Sequence, residues 1–342
     1  MITSLKLENF RLFTSLEISP LRRINLFAGA NNTGKTGILE ALYLLFGGQA
    51  ELLQVPSAFR STLATSPNQT VSDDLTTFWQ SLFYDRQTQV PAEVYATTGP
   101  ETVIRFKIQT PPNQNWMWIA YEQRSAITRF PNEGTPISFS IDAQGIRPQQ
   151  PNPFAAKFIV LSTRQEHPTR DAEFFNQLTL QEGGEEKLLQ LLREIDPRLQ
   201  RLRYAKPPGT SQALVYASFG LKNSLSITQA GQGFNKLFSL FCQMLVSKAK
   251  VLLIDEIENG LYYETLPQIW KGIATLAASE NIQVFATTHS RECLIAAHET
   301  MKAQPGYDFA LHRLQRVNGK LEAVTHDQGM LEVALKSGLE VR

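Results

Sequence analysis

Two glycines with four residues between them, followed by lysine and a hydroxyl residue, open the chemistry of this chain: Gly29-Ala30-Asn31-Asn32-Thr33-Gly34-Lys35-Thr36. This spacing lets backbone N–H groups and a helix N-terminus converge on phosphate oxygens. Lys35 is expected to reach the β and γ phosphates, and the Thr36 hydroxyl to hold Mg²⁺. Gly29, Asn31, Asn32, Thr33, Gly34 and Gly37 complete the candidate phosphate cradle. Far along the chain, Val251-Leu252-Leu253-Ile254-Asp255-Glu256 places two carboxylates at the end of an apolar run. Such a run suits a buried parallel strand, whose C-terminal end is where α/β sheets put ligands. Asp255 then suits a hold on Mg²⁺, and Glu256 a general base for an attacking water. A third run, Ile282-Gln283-Val284-Phe285-Ala286-Thr287-Thr288-His289-Ser290, ends in His289, whose imidazole can hydrogen-bond a γ-phosphate or that water.

The elements that must position these groups are legible nearby. Ile24 to Ala28 reads as a short buried strand before the glycine loop, and Gly37 to Phe46 has the apolar spacing of a helix after it. Before both, alternation at Leu5, Leu7, Phe10, Leu12, Leu16 and Ile18 predicts two antiparallel strands joined at Asn9-Phe10-Arg11. Arg11 is read either as a nucleotide contact or as a solvated turn arginine. Gly47-Gly48 ends the helical pattern, and residues 51 to 75, rich in Ser, Thr, Gln and Pro, read as a surface loop. Strand-like runs at Val94–Ala96, Val103–Ile108, Trp116–Tyr121 and Ile137–Ile141 predict an inserted antiparallel β subdomain. Its aromatics at alternating positions are read as sheet packing before base stacking. Phe158–Leu161 returns as a buried strand, Glu185 to Arg203 reads as helical with a break at Asp196-Pro197, and Phe234 to Val246 as a helix.

Composition narrows the class. Lys and Arg number 33 against 32 Asp and Glu in 342 residues, so there is no overall basic excess to advertise nucleic acid. Cys242 and Cys293, in apolar helical settings, read as buried thiols of a reducing compartment. There is no apolar run near the roughly 18 residues of a membrane span and no signal-peptide core at Met1-Ile2-Thr3-Ser4-Leu5-Lys6, so a cytoplasmic location without membrane contact is expected. Asn235-Lys236-Leu237-Phe238 lacks the acid of a guanine-reading Asn-Lys-x-Asp and sits in a helix, which favours ATP over GTP.

Lys35, Asp255, Glu256 and His289 in this order, with a β insertion between the first two, resemble the ABC-type ATPase head shared by SMC, RecF and OLD-family proteins. Asp255-Glu256-Ile257-Glu258-Asn259-Gly260-Leu261 and Ala286-Thr287-Thr288-His289-Ser290 are similar to OLD-like ATPases and their stand-alone relatives. Asn9-Phe10-Arg11 and Leu339-Glu340-Val341-Arg342 resemble the same stand-alone group. The resemblance implies an α/β P-loop NTPase of ABC-ATPase type, with a mixed central sheet, helices on both faces, an antiparallel β subdomain and a helical lobe. Residues 1–342 would form one head in two lobes: a nucleotide-binding core at 1–50 and 246–342, the β subdomain at 90–145, and a helical signature lobe at 158–245.

The resemblance also implies an ATPase using ATP and Mg²⁺ and dimerising with ATP sandwiched between two heads. Each head would offer a signature segment in trans, which here corresponds to Thr228-Gln229-Ala230-Gly231-Gln232-Gly233. Gln229 stands where related heads carry Ser and Ala230 where many have Gly; Gln229 and Gly231 are the candidate contacts. Tyr262 replaces the His or Asp common after the Asn-Gly-Leu turn, and Gln165 corresponds to a loop glutamine that senses Mg²⁺. The implied role is DNA repair or defence against phage, with a separate nuclease-type effector, since the stretch past His289 lacks room for a TOPRIM nuclease; DNA is a candidate ligand. A nucleotide-gated scaffold with negligible hydrolysis is the alternative. The cytosolic head of a transporter is the other, disfavoured by Asn-Phe-Arg and the β insertion.

Overall fold

The computed structural model describes residues 1–47, 59, 78–99, 102–110, 117–125, 139–142, 145–148, 155–161, 168–207, 209–210 and 212–337. The 51–75 loop apart from Phe59, Gln165, Trp116, the side chains of Trp118 and Tyr121, and Leu339–Arg342 lie outside this set.

A six-stranded mixed sheet carries the site, in the order β16-β15-β3-β14-β13-β9. It is built from β3 (Ile24–Gly29), β9 (Phe158–Leu161), β13 (Val251–Ile254), β14 (Gln283–Thr287), β15 (Phe309–Val317) and β16 (Lys320–His326). All neighbours in it are parallel except β15 and β16. β3 is buried at every position, as are β13 and β14, which explains why these strands read as unbroken apolar runs. Helix α1 (Lys35–Phe46) lies on one face. On the other, α2 (Pro168–Thr179), α3 (Gly184–Arg193), α4 (Gln232–Val246), α5 (Leu266–Ser279), α6 (Arg291–Lys302) and α7 (Gln328–Lys336) contribute to a second apolar core.

Helix α1 is buried around almost its whole circumference, and apolar there apart from Lys35 and Glu40, because it is covered on both sides. Ile38, Leu39, Leu42 and Leu45 share a core with Phe27, Leu253 and Phe285 of the central sheet and with Leu5, Leu7, Val94 and Phe106 of a second, antiparallel sheet. That sheet runs β2-β1-β4-β5-β6-β7-β8, from β1 (Ile2–Phe10), β2 (Phe13–Ile18), β4 (Ala92–Thr98), β5 (Thr102–Gln109), β6 (Met117–Ser125), β7 (Phe139–Asp142) and β8 (Gly145–Pro148). Here the structure differs from a self-contained insertion at 90–145: Leu5 pairs with Ala96 and Leu7 with Val94, so the inserted strands extend the N-terminal hairpin. The apolar face of the hairpin and that of the insertion cover the same helix, which neither could do alone.

The stretch 158–245, expected as a helical lobe, begins with a strand of the central sheet, Phe158–Leu161, and holds more strand than its sequence suggests. Arg201–Ala205 is not helical; it forms β10, paired with β11 (Leu214–Ser218), which pairs with β12 (Leu225–Ser226). Leu202 is buried between exposed Arg201 and Arg203, the alternation of a strand with one covered face, and its partner across the ladder is Ala217. Among the described residues, no helix is long and apolar enough to cross a membrane.

Candidate functional site

The parallel register brings three strand ends to one edge. Phe27 pairs with Thr287, and Ile254 with Ala286, so the residues that follow β3, β13 and β14 emerge together. The chain leaves β3 through Gly29 (φ +149°) and enters α1 through Gly34 (φ +89°). At Gly29 a Cβ would fall 2.5 Å from the Leu314 carbonyl oxygen, and at Gly34 2.4 Å from the Phe13 ring. Both positions therefore require glycine, for conformation and for space. No acidic residue stands in the first turn of α1, so its positive end is left to an anion.

Lys35 is 5 % exposed and donates to the carbonyls of Gly29 (2.7 Å) and Ala30 (2.8 Å). Burial draws its pKa down to about 8, against the pull of Asp255, Glu256 and Glu258. Thr36 donates to both Asp255 carboxylate oxygens, at 3.2 and 3.3 Å. Thr287 Oγ1 donates to Asp255 Oδ1 at 2.7 Å and accepts the Glu256 N–H at 2.8 Å. Burial raises the Asp255 pKa, partly offset by these hydroxyls. Glu256 occupies the left-handed region (φ +48°), and Asn259 donates to its Oε2 at 3.1 Å. His289 follows β14 and precedes Ser290, whose hydroxyl caps α6 by accepting the Cys293 N–H. The His289 N–H is taken by Glu258 Oε1 at 2.6 Å, which fixes the backbone at the strand end.

Asn31, Asn32, Thr33, Gly34, Lys35, Thr36, Gly37, Arg11, Glu256 and His289 line one cleft of about 1160 Å³. That is ample for a nucleoside triphosphate, since ligand clefts run to about 300–1,000 Å³. Gly29 and Asp255 lie just behind this lining. Gln229 and Gly231 are not among the residues that line it. Gly231 (φ +105°) is the exposed N-cap of α4, and Gln229 turns its amide oxygen back to the Ser226 N–H in a capping box. Gln165 lies outside the described residues.

The solvated reading of Arg11 is corrected: it is 7 % exposed and ion-paired to Glu40, itself fully buried on α1, at 2.8 Å. It also donates to the Ser81 carbonyl at 3.0 Å. A buried carboxylate on α1 demands a cation, and the β1–β2 turn supplies it. Sequence reasoning missed Phe59, Phe83, Arg86 and Arg316, which also line the cleft; each comes from a segment without a local motif. It also passed over Lys236 on α4, whose ammonium meets the carbonyls of Glu256, Ile257 and Asn259 at 3.3, 3.0 and 3.0 Å.

The oxygen set fits Mg²⁺ borne by a nucleotide. Among the described residues there is no cluster of three or more His, Cys, Asp or Glu able to hold a metal alone. Thr36 and Asp255 offer hard oxygens from one side only, as suits an ion that keeps waters and takes the rest of its shell from phosphates.

Comparisons with known proteins bear on the family and the fold. An AAA ATPase domain model matches residues 1–87, and a model described as "AAA domain, putative AbiEii toxin, Type IV TA system" matches residues 86–294. An ATP/GTP phosphatase of Helicobacter pylori is 22% identical over 352 aligned positions, covering 91% of this chain and 90% of that protein. The DNA replication and repair protein RecF of Shewanella sediminis is 37% identical over 89 residues, covering 26% of this chain and 22% of that one. An SMC head, solved bound to the C-winged helix domain of ScpA, shares the fold with a TM-score of 0.58 at 16% identity, covering 98% of this chain and 99% of that one. The family model spanning residues 86–294 covers more than half of the chain, and the chain belongs to that AAA-domain family as an ATPase whose fold is shared with an SMC head.

Proposed function

We propose that this chain hydrolyses ATP in the cleft at the C-terminal edge of the central sheet, and that two copies close on ATP during the cycle. The observation that carries the reading is the meeting of Thr36 with Asp255 beside Lys35, Glu256 and His289. The Lys35 ammonium exchanges loop carbonyls for phosphate oxygens, and the N–H groups of residues 31–37 surround the β-phosphate. Thr36 and Asp255 would hold Mg²⁺, which would supply positive charge to offset that of the phosphates. Glu256 takes a proton from the attacking water, the new P–O bond forms at the γ-phosphorus, and the bond to ADP breaks. His289 donates to the γ-phosphate and steadies the charge that develops there.

Dimerisation is supported by the placement of Gly231 and Gln229 at the exposed start of α4, apart from the chain's own cleft, where a helix N-terminus can meet the nucleotide of a second head. The likeness to OLD, RecF and SMC heads supports service in DNA repair or phage defence with a separate effector. Glu256→Gln tests the core of the reading. Phosphate release should fall by about 10²-fold or more, as for loss of a general base, while ATP binding persists and an ATP-dependent dimer accumulates. Equal hydrolysis in the variant and the wild type would refute the site, and an unchanged mass by light scattering with ATP would refute the dimer.

A further inference from the structure

Lys236 lies on α4, one turn from the glycines at its N-terminus, and its side chain reaches out of the helix to the turn that follows β13. Its three N–H donors meet three backbone carbonyls: Ile257 and Asn259 at 3.0 Å each, and Glu256 at 3.3 Å. These contacts are to carbonyls rather than to a carboxylate, so what the lysine organises is the path of the turn.

That turn contains a strained residue. Glu256 has φ +48°, a region that side-chain-bearing residues rarely adopt. Its N–H is pinned by Thr287 Oγ1 at 2.8 Å, and its carbonyl by Lys236. Both ends of the residue are thus fixed, and the carboxylate points into the cleft with Asn259 on Oε2 at 3.1 Å. A second contact binds the same two segments: a Cβ at Gly233 would sit 2.7 Å from the Gly260 carbonyl oxygen. The start of α4 and the 256–260 turn are therefore in direct contact at two places.

We infer that Lys236 is a positioning residue for hydrolysis, holding the 256–259 turn so that the Glu256 carboxylate faces the attacking water, and linking that carboxylate to the signature segment at the start of α4. The inference rests on the ATPase reading above and adds to it a residue that touches neither substrate nor metal. Because only the geometry of the base depends on Lys236, its loss should lower kcat while leaving the phosphate cradle, and hence ATP affinity, in place.

The test is steady-state ATP hydrolysis by the full chain carrying Lys236→Met, Lys236→Arg, and Lys236→Met with Glu256→Gln, alongside fluorescent-nucleotide binding. Expected for Lys236→Met is a kcat roughly 10- to 100-fold lower, the scale of a misplaced catalytic group, with KM and nucleotide affinity within about twofold of wild type. Lys236→Arg, which keeps donors and charge, should recover most of the loss. In the Glu256→Gln background, Lys236→Met should produce no further fall, since the residue acts through that carboxylate. Wild-type kcat in Lys236→Met, an equal loss of affinity and rate, or an additive loss in the double variant would each overturn the inference. The ATPase reading itself would survive those outcomes as long as Glu256→Gln alone lowers turnover by about 10²-fold to a residual rate that can still be measured. If Lys236→Met does not fold, Lys236→Gln takes its place, with the same fall in kcat and the same unchanged affinity expected.

Discussion

The Thr36 hydroxyl donates to the Asp255 carboxylate at 3.2 Å across 219 positions of sequence, and this contact joins the glycine loop to the acidic strand end. Because these two side chains supply the protein oxygens proposed for Mg²⁺, Thr36→Ala should raise the Mg²⁺ concentration for half-maximal hydrolysis by about 10–100-fold. Saturating Mg²⁺ should restore part of the rate in Thr36→Ala and little in Asp255→Asn. A Mg²⁺ titration of both variants checks this, and a Thr36→Ala curve superimposed on wild type would contradict it.

Arg11 and Glu40 form a buried pair, 5% and 0% exposed at the side chain. Removing the arginine strands a carboxylate inside the core between α1 and the hairpin, at a cost of about 3–5 kcal/mol. Arg11→Ala is therefore expected to lower the midpoint of urea unfolding sharply, measured without nucleotide. An Arg11→Ala protein with wild-type stability and weakened ATP binding would instead place its role with the ligand.

His312 is fully buried on β15, with Nδ1 3.0 Å from Thr325 Oγ1 and Nε2 3.3 Å from Asn25 Oδ1. Burial, with His326 as a lesser cause, takes its pKa from 6.5 down to about 3. The unfolded chain therefore binds the proton more readily between these values. The stability due to neutral His312 is complete above pH 6.5 and is lost as pH falls, at a limiting slope of about 1.4 kcal/mol per pH unit. Denaturant unfolding at pH 7.5 and 5.5 should show wild type losing about 1 kcal/mol more than His312→Asn over this interval. The same loss in both proteins would show that another group governs the acid limb.

Both cysteines are buried, and burial pushes both thiols up, Cys293 to about 12. Reactivity follows the thiolate and its exposure. An aromatic disulfide reagent at pH 8 should leave the native chain unmodified for as long as it stays folded, and titrate both thiols in guanidinium. A fast-reacting thiol in the native protein would show that one of these helices opens.

What the sequence disclosed was local and chemically constrained. The glycine loop was legible because Gly29 and Gly34 need left-handed backbone at fixed spacing, and the carboxylates because an unbroken apolar run ended at Asp255. Arg11 was ambiguous because its partner, Glu40, stands on an otherwise apolar helix and is far from it in sequence. The extent of the antiparallel sheet was hidden because Leu5 and Ala96 pair across two intervening strands and helix α1. Arg201–Arg203 was misread as the end of a helical stretch because so short a run of alternating polarity carries little periodic signal against a neighbouring helix. Lys236 was weighed only as part of an incomplete Asn-Lys-x-Asp and set aside with it: a single lysine on an amphipathic helix looks like a solvated one until the turn it grips is in view.

The hydrogen bonds of β1 run to β2 on one edge and to β4 on the other. Residues 92–148 consequently cannot be excised as a module. A shortened chain would leave β1 with a bare row of amide and carbonyl groups and the outer flank of α1 uncovered, a surface that recruits other chains. Engineering that seeks a minimal nucleotide-binding unit has to begin by replacing the strand that shields this edge.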